Sequence, residues 1–108
     1  MKNIYTSKKI FSMGIIELKY SDKSITTKSQ ILKKLKELGF NWLIDSELEN
    51  AIIEIKNDTL IWHEGIFNYG NWKYGIFKNG AFHGTWENGI WEDGLFKGTW
   101  KSGFNKPI

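Results

Sequence analysis

The stretch Phe82-His83-Gly84-Thr85-Trp86-Glu87-Asn88-Gly89-Ile90-Trp91-Glu92-Asp93-Gly94-Leu95 restarts at once as Phe96-Lys97-Gly98-Thr99-Trp100-Lys101-Ser102-Gly103. It belongs to a longer ladder in which an aromatic is followed three residues later by glycine: Trp62/Gly65, Phe67/Gly70, Trp72/Gly75, Phe77/Gly80, Trp86/Gly89, Trp91/Gly94 and Trp100/Gly103. Such self-similarity marks a repeat architecture. Two four-residue steps, Gly80 to Gly84 and Gly94 to Gly98, interrupt the five-residue count and create a larger unit of fourteen residues.

In one extended strand, residues five apart point to opposite faces, so the chain must turn between successive aromatics. Asn79-Gly80, Asn88-Gly89 and Asp93-Gly94 suit tight hairpin turns, whereas Tyr69-Gly70 and Tyr74-Gly75 suit a type II turn or a glycine bulge. Two geometries satisfy this. In a hairpin array, short antiparallel strands such as Ile66-Phe67-Asn68 and Asn71-Trp72-Lys73 put all rings on one face. Longer strands at 81–87 and 95–101 then pair Phe82 with Phe96 and Trp86 with Trp100. In a coiled β-solenoid, each pentad is one side and the glycines stand at corners. Three-residue strands favour the solenoid, and the four-residue steps count against its constant corner spacing. The hairpin array is the expected fold, with the β-solenoid as its alternative. Both make Trp62, Phe67, Trp72, Phe77, Phe82, Trp86, Trp91, Phe96 and Trp100 a structural ladder.

Upstream, residues 10–20 read as a strand and residues 21–24 as a turn. Residues 28–38 read as a helix, with Thr27 and Gln30 forming a capping box and Ile31, Leu32, Leu35 and Leu38 an apolar stripe. Gly39 ends it and Phe40 packs back upon it. An acidic loop, residues 45–50, leads to strands 51–55 and 59–63 around Lys56-Asn57-Asp58. The second strand runs into the ladder without a linker. The fold class is therefore α+β, mainly β, with residues 1–58 as an α/β cap and 59–108 as a repeat sheet within one domain.

The chain has 108 residues, no cysteine and no arginine, which excludes disulfides, thiolate sites and bidentate guanidinium recognition. The net charge of +3 is unevenly spread: residues 1–40 carry nine lysines against three acids, and residues 41–66 one lysine against six acids. No stretch has membrane-spanning length and no targeting segment is convincing, so a cytoplasmic protein, or part of an assembled particle, is expected.

Phe82-His83-Gly84-Thr85-Trp86-Glu87-Asn88-Gly89 and its successor resemble the MORN repeat core, Tyr-x-Gly-x-Trp-x-x-Gly, with Phe in place of Tyr. The resemblance covers roughly residues 62–104. It implies a sheet of consecutive hairpins used for protein contact, assembly or, in some members, membrane association. The spacing is compressed, and the pentads from Phe67 to Gly80 lack the Phe-x-Gly-x-Trp step. The dense pentads also look similar to repeat proteins encoded by phages. Neither resemblance supplies a reaction.

Catalytic material is scarce. His63 and His83 lie twenty residues apart, Asp45, Glu47 and Glu49 cluster without a second acidic group, and the glycines match no phosphate-binding loop. Asn57-Asp58-Thr59 is a glycosylation sequon without a secretion signal. The expected protein is thus no enzyme and takes no cofactor or metal. It is a protein-protein interaction or assembly module, in one version an inhibitor from a phage or mobile element that docks on a host enzyme, with self-association an open question. The alternative is nucleic-acid binding through the lysine-rich amino-terminal region. Candidate partner-binding residues are the turn tyrosines Tyr69 and Tyr74, the ladder's polar side chains Lys73, Lys78, His83, Glu87, Glu92, Lys97 and Lys101, and the helix lysines Lys33 and Lys34.

Overall fold

The structure, a computed structural model, describes residues 11–107. Ile10, where the predicted first strand begins, and Lys2, Lys8 and Lys9 of the lysine-rich region lie outside the described residues. The chain is mainly β with two helices. In order, the elements are β1 (Ser12–Met13), β2 (Glu17–Tyr20), β3 (Lys23–Ile25), α1 (Lys28–Glu37), α2 (Asn41–Ile44), β4 (Glu47–Lys56), β5 (Thr59–Tyr69), β6 (Asn71–Trp72), β7 (Ile76–Phe77), β8 (Ala81–Phe82), β9 (Thr85–Trp86), β10 (Ile90–Trp91), β11 (Leu95–Phe96) and β12 (Thr99–Trp100).

The cap follows its sequence signals in part, the strand expected over residues 10–20 being broken into β1 and β2. Ser21-Asp22 joins β2 to β3 and Asn57-Asp58 joins β4 to β5, and all four residues have positive φ (53°, 63°, 52° and 62°). This is the type I′ geometry that two-residue hairpins require. Helix α1 buries Ile31 and Leu35. Past its end, the Phe40 N–H donates to the Leu35 carbonyl at 2.9 Å and the Gly39 N–H to the Lys36 carbonyl at 3.2 Å, a Schellman closure that seats Phe40 in the core. The predicted capping box does not form, because the Thr27 side chain makes no cap bond. The acidic residues 45–50 are not a loop either: β4 starts at Glu47, with Leu48 buried between Glu47 and Glu49. That alternation is itself a strand signal.

The repeat departs from the hairpin array. Every ladder strand pairs in parallel with a strand one turn away. Trp62 lies opposite Phe77, and Phe77 opposite Trp91. Phe67, Phe82 and Phe96 align, as do Trp72, Trp86 and Trp100. The chain thus coils with three sides per turn: the first side is the start of β5, then β7 and β10; the second is the end of β5, then β8 and β11; the third is β6, β9 and β12. The register advances fifteen residues from Ile61 to Ile76 and fourteen from Ile76 to Ile90. The four-residue steps shorten the second side by one residue; they do not lengthen a strand, and Gly84 separates β8 from β9.

Backbone dihedrals explain the correction. A type I′ reversal needs positive φ at both central residues. In the ladder it is confined to glycines, Gly80 at 128° for example, and even Gly84 and Gly98 lack it, while Asn79, Asn88 and Asp93 do not have it. The chain therefore turns a corner and continues. Asn88 and Asp93 accept the N–H of the glycine that follows, at 2.9 and 2.8 Å, so their preference for this position comes from holding the corner.

The rings fill the coil's interior as three columns. Within a column they stack offset and nearly parallel: Phe77 on Trp91 at 4.5 Å and 6°, Phe67 on Phe82 at 4.8 Å and 17°, Trp72 on Trp86 at 5.1 Å and 8°. Between columns they meet edge to face, as Phe82 does Trp86 at 5.5 Å and 81°. Both arrangements are the favoured aromatic geometries. The indole N–H groups of Trp62, Trp72 and Trp86 are buried without an acceptor, a cost of about 1–3 kcal/mol each that ring burial must exceed.

Two stability predictions follow from this core. Trp86, fully buried, should lose about 3–5 kcal/mol on truncation to Ala. Trp86→Phe, which deletes the orphan N–H while keeping a ring, should cost less than half of that. Chemical denaturation measures both, and equal losses would show that filling the column is not what Trp86 contributes. Gly98→Ala should be comparably damaging, since a Cβ there would stand 2.0 Å from the Gly84 carbonyl oxygen of the preceding turn; an unchanged midpoint would contradict the stacked-corner geometry.

Candidate functional site

Since every inward position of the coil is a ring, function is left to the outward ones. Strand alternation puts the residues before and after each ring outside. On the third side the outward column is Asn71, Thr85 and Thr99, bordered by Lys73, Glu87 and Lys101. On the first it is Ile61, Ile76 and Ile90, with Phe104 opposite Ile90. On the second it is Ile66, Ala81 and Leu95. Two of three sides therefore carry aliphatic columns. Exposure along them rises toward the last turn, where Ile90 is 36%, Leu95 52% and Phe104 71% exposed. The candidates expected from the sequence are polar residues and tyrosines, and none of them lies in these columns. A count with a period of fourteen would have separated Ile76/Ile90 and Ala81/Leu95 from Thr85/Thr99.

The polar columns are paired across turns. Lys73 Nζ bonds both Glu87 carboxylate oxygens at 3.1 and 3.2 Å, and Lys78 Nζ lies 3.7 Å from Glu92. Each pair spans one turn, so unlike charges alternate along the coil; exposed pairs of this kind contribute at most about 1 kcal/mol. Among the described residues, Lys97 and Lys101 in the last turn make no ion pair.

Three predicted residues converge. Tyr69, Lys73 and His83 line one open concavity of about 570 Å³ at the corner between the second and third sides, together with Trp42, Asp45 and Thr85. The other turn tyrosine, Tyr74, is exposed on one side and packs on Phe40 at 5.8 Å and on Trp42 at 5.6 Å with the other, which fastens the coil to the cap. Lys33 and Lys34 belong to α1 and line a different concavity, with Tyr20 and Gln30. Lys34 bonds Glu37 at 3.0 Å and sits 5.2 Å above the Tyr20 ring.

His63 and His83 do not share a site. His63 Nε2 lies 2.8 Å from a Glu54 carboxylate oxygen, on the neighbouring strand. Of the acidic cluster, Glu49 accepts from Asn68 Nδ2 at 3.0 Å. No group of three or more His, Asp or Glu side chains able to hold a metal ion occurs among the described residues, nor does a helix long and apolar enough to cross a membrane.

The His63 hydrogen bond holds the Glu54 carboxyl below its ordinary value, against a smaller opposing effect of burial. A carboxyl lowered in the folded state stabilises the fold above its unfolded value, about 4.3, and that contribution is lost as pH falls through the folded value. In His63→Ala the Glu54 titration should move up toward the ordinary range, as read by carboxyl NMR; an unmoved titration would remove His63 as the cause. No family model, curated protein or solved structure matches this chain, so only these surfaces speak to what the protein does.

Proposed function

We propose that the protein is a non-enzymatic interaction or assembly module acting in the cytoplasm or within an assembled particle. The observation that carries this reading is the pair of aliphatic columns on the first and second sides. They stand on a coil whose rings and glycine corners leave little freedom, beside columns of charge. A rigid, partly apolar surface with fixed charge positions suits a protein interface, since little side-chain or loop ordering is lost on docking. One form of the proposal is a small inhibitor, of a kind encoded by phages or mobile elements, that seats this face on a host enzyme.

Capture of partners from a host lysate, with and without nuclease, tests the proposal. Partners retained after nuclease treatment with the parent chain should be lost with Ile76→Lys combined with Ile90→Lys. These are outward positions where a charge leaves the ring columns intact, so circular dichroism should show a folded chain. Retention of nothing but nuclease-sensitive partners, released steeply as salt rises, would assign the protein to nucleic-acid binding instead.

A further inference from the structure

The two ends of the coil are finished differently. At the start, β4 continues the first and second sides, and α2 lies against β6 on the third. At the far end, β11 pairs only with β8 and β12 only with β9 among the described residues. The ladder pattern breaks here. Phe104 takes the outward position opposite Ile90, but Asn105 stands at φ 64° where the ladder would place the next ring, and Pro107 follows. Phe96 and Trp100 are in consequence only partly buried, whereas Phe82 and Trp86 one turn earlier are fully buried. The last turn therefore offers unpaired strand edge and partly exposed rings together.

Its charge is equally one-sided. Residues 95–107 contain Lys97, Lys101 and Lys106 and no acid. The carboxylates one turn back do not compensate them, since Glu87 and Glu92 face Lys73 and Lys78. Lysines on an edge oppose pairing with a like edge. Two copies meeting end to end would set three lysines against three, and a head-to-tail stack is blocked by the cap. The same lysines attract a strand of opposite charge.

We propose that this edge binds an extended acidic segment of a partner protein by strand addition. The segment's backbone continues the ladders beyond β11 and β12. Its apolar side chains cover Phe96 and Trp100, and its carboxylates meet Lys97 and Lys101. To follow both sides it must turn the corner above Gly98, where a Cβ would stand 2.0 Å from the backbone beneath it in the present turn, so it carries glycine there. Its chemistry is that of the last turn with the charge inverted. This proposal rests on the protein-interaction reading above and narrows it to one surface and one class of partner.

The test uses two labelled seven-residue peptides. One copies residues 95–101; the other has glutamate in place of both lysines. Fluorescence anisotropy at low salt should show the glutamate peptide binding at least ten-fold more tightly, with hydrogen-exchange protection confined to residues 95–104. In the double variant Lys97→Glu, Lys101→Glu, whose sites are exposed and whose fold circular dichroism can verify, the preference should reverse. Absence of binding at millimolar peptide, equal binding of both peptides, or a preference that survives the charge swap would overturn the proposal. So would concentration-dependent dimers in light scattering that the double variant abolishes, because a second copy would then be the occupant. If the peptides fail while nuclease-resistant capture still depends on Ile76 and Ile90, the edge is excluded and the interaction reading stands.

Discussion

The structure depends on one coincidence of lengths. Strands in a ladder lie about 4.8 Å apart, and offset-stacked aromatic rings prefer nearly the same separation. A parallel coil that repeats a ring at the same position on each turn satisfies both with one spacing. Trp72, Trp86 and Trp100 stack at 5.1 Å per step, and Phe67, Phe82 and Phe96 at 4.8 and 5.4 Å. An antiparallel array would also have placed Trp86 near Trp91, which meet edge to face at 5.7 Å. It would not have produced three continuous columns. Glycine at the corners follows from the same constraint. With turns this close, the carbonyl oxygen of the preceding glycine occupies the space a Cβ would need, 2.2 Å away at Gly80.

Much of this is legible in the sequence. The nine ring positions, the Gly39 helix stop, the Asn57-Asp58 hairpin and the absence of a linker are local signals, and local chemistry decides them. The choice between hairpin and coil is not local, because Asn-Gly and Asp-Gly serve both geometries. What discriminates them is whether the residue before glycine also adopts positive φ, and Tyr69, Tyr74 and Ser102 are poor candidates for that. The residue before each ring held a second clue. Ile76, Ala81 and Thr85 are followed one turn later by Ile90, Leu95 and Thr99, a match at fourteen residues that no hairpin requires. The four-residue steps look like breaks in a period of five but are a constant feature of a period of fourteen.

The candidate site was only partly legible, for a related reason. Tyr69, Lys73 and His83 were named for their polarity or position and do line one concavity. Tyr74 shares that turn position and stays exposed, but its ring also packs on Phe40 and Trp42, a contact between distant parts of the chain that no pattern within the repeat reveals. The aliphatic columns escaped notice because each Ile or Ala is unremarkable alone and gains meaning only when turns are stacked. His63 and Glu54 likewise meet only through the register of β4 against β5. The bulge at Asn50 (φ 49°), where β4 bends beside Gly65 at the first corner, belongs to that same pairing.

Stacked architecture also makes the surface unequal along its length. In a coil each turn is held by its neighbours, so an interior turn has two interfaces and a terminal turn one. The first turn obtains its second interface from the cap, through β4, α2 and the Phe40, Trp42 and Tyr74 rings. The last turn has no such cover among the described residues: its rings are only partly buried, and its edge and lysines are exposed. Lysines there oppose self-pairing without contributing to the core. The aliphatic columns become more exposed toward the same end, Ile90 and Leu95 beyond Ile76 and Ala81. The apolar sides and the open edge thus converge on one region, so a partner that reaches the last turn can also contact the flanking columns without any change in the coil.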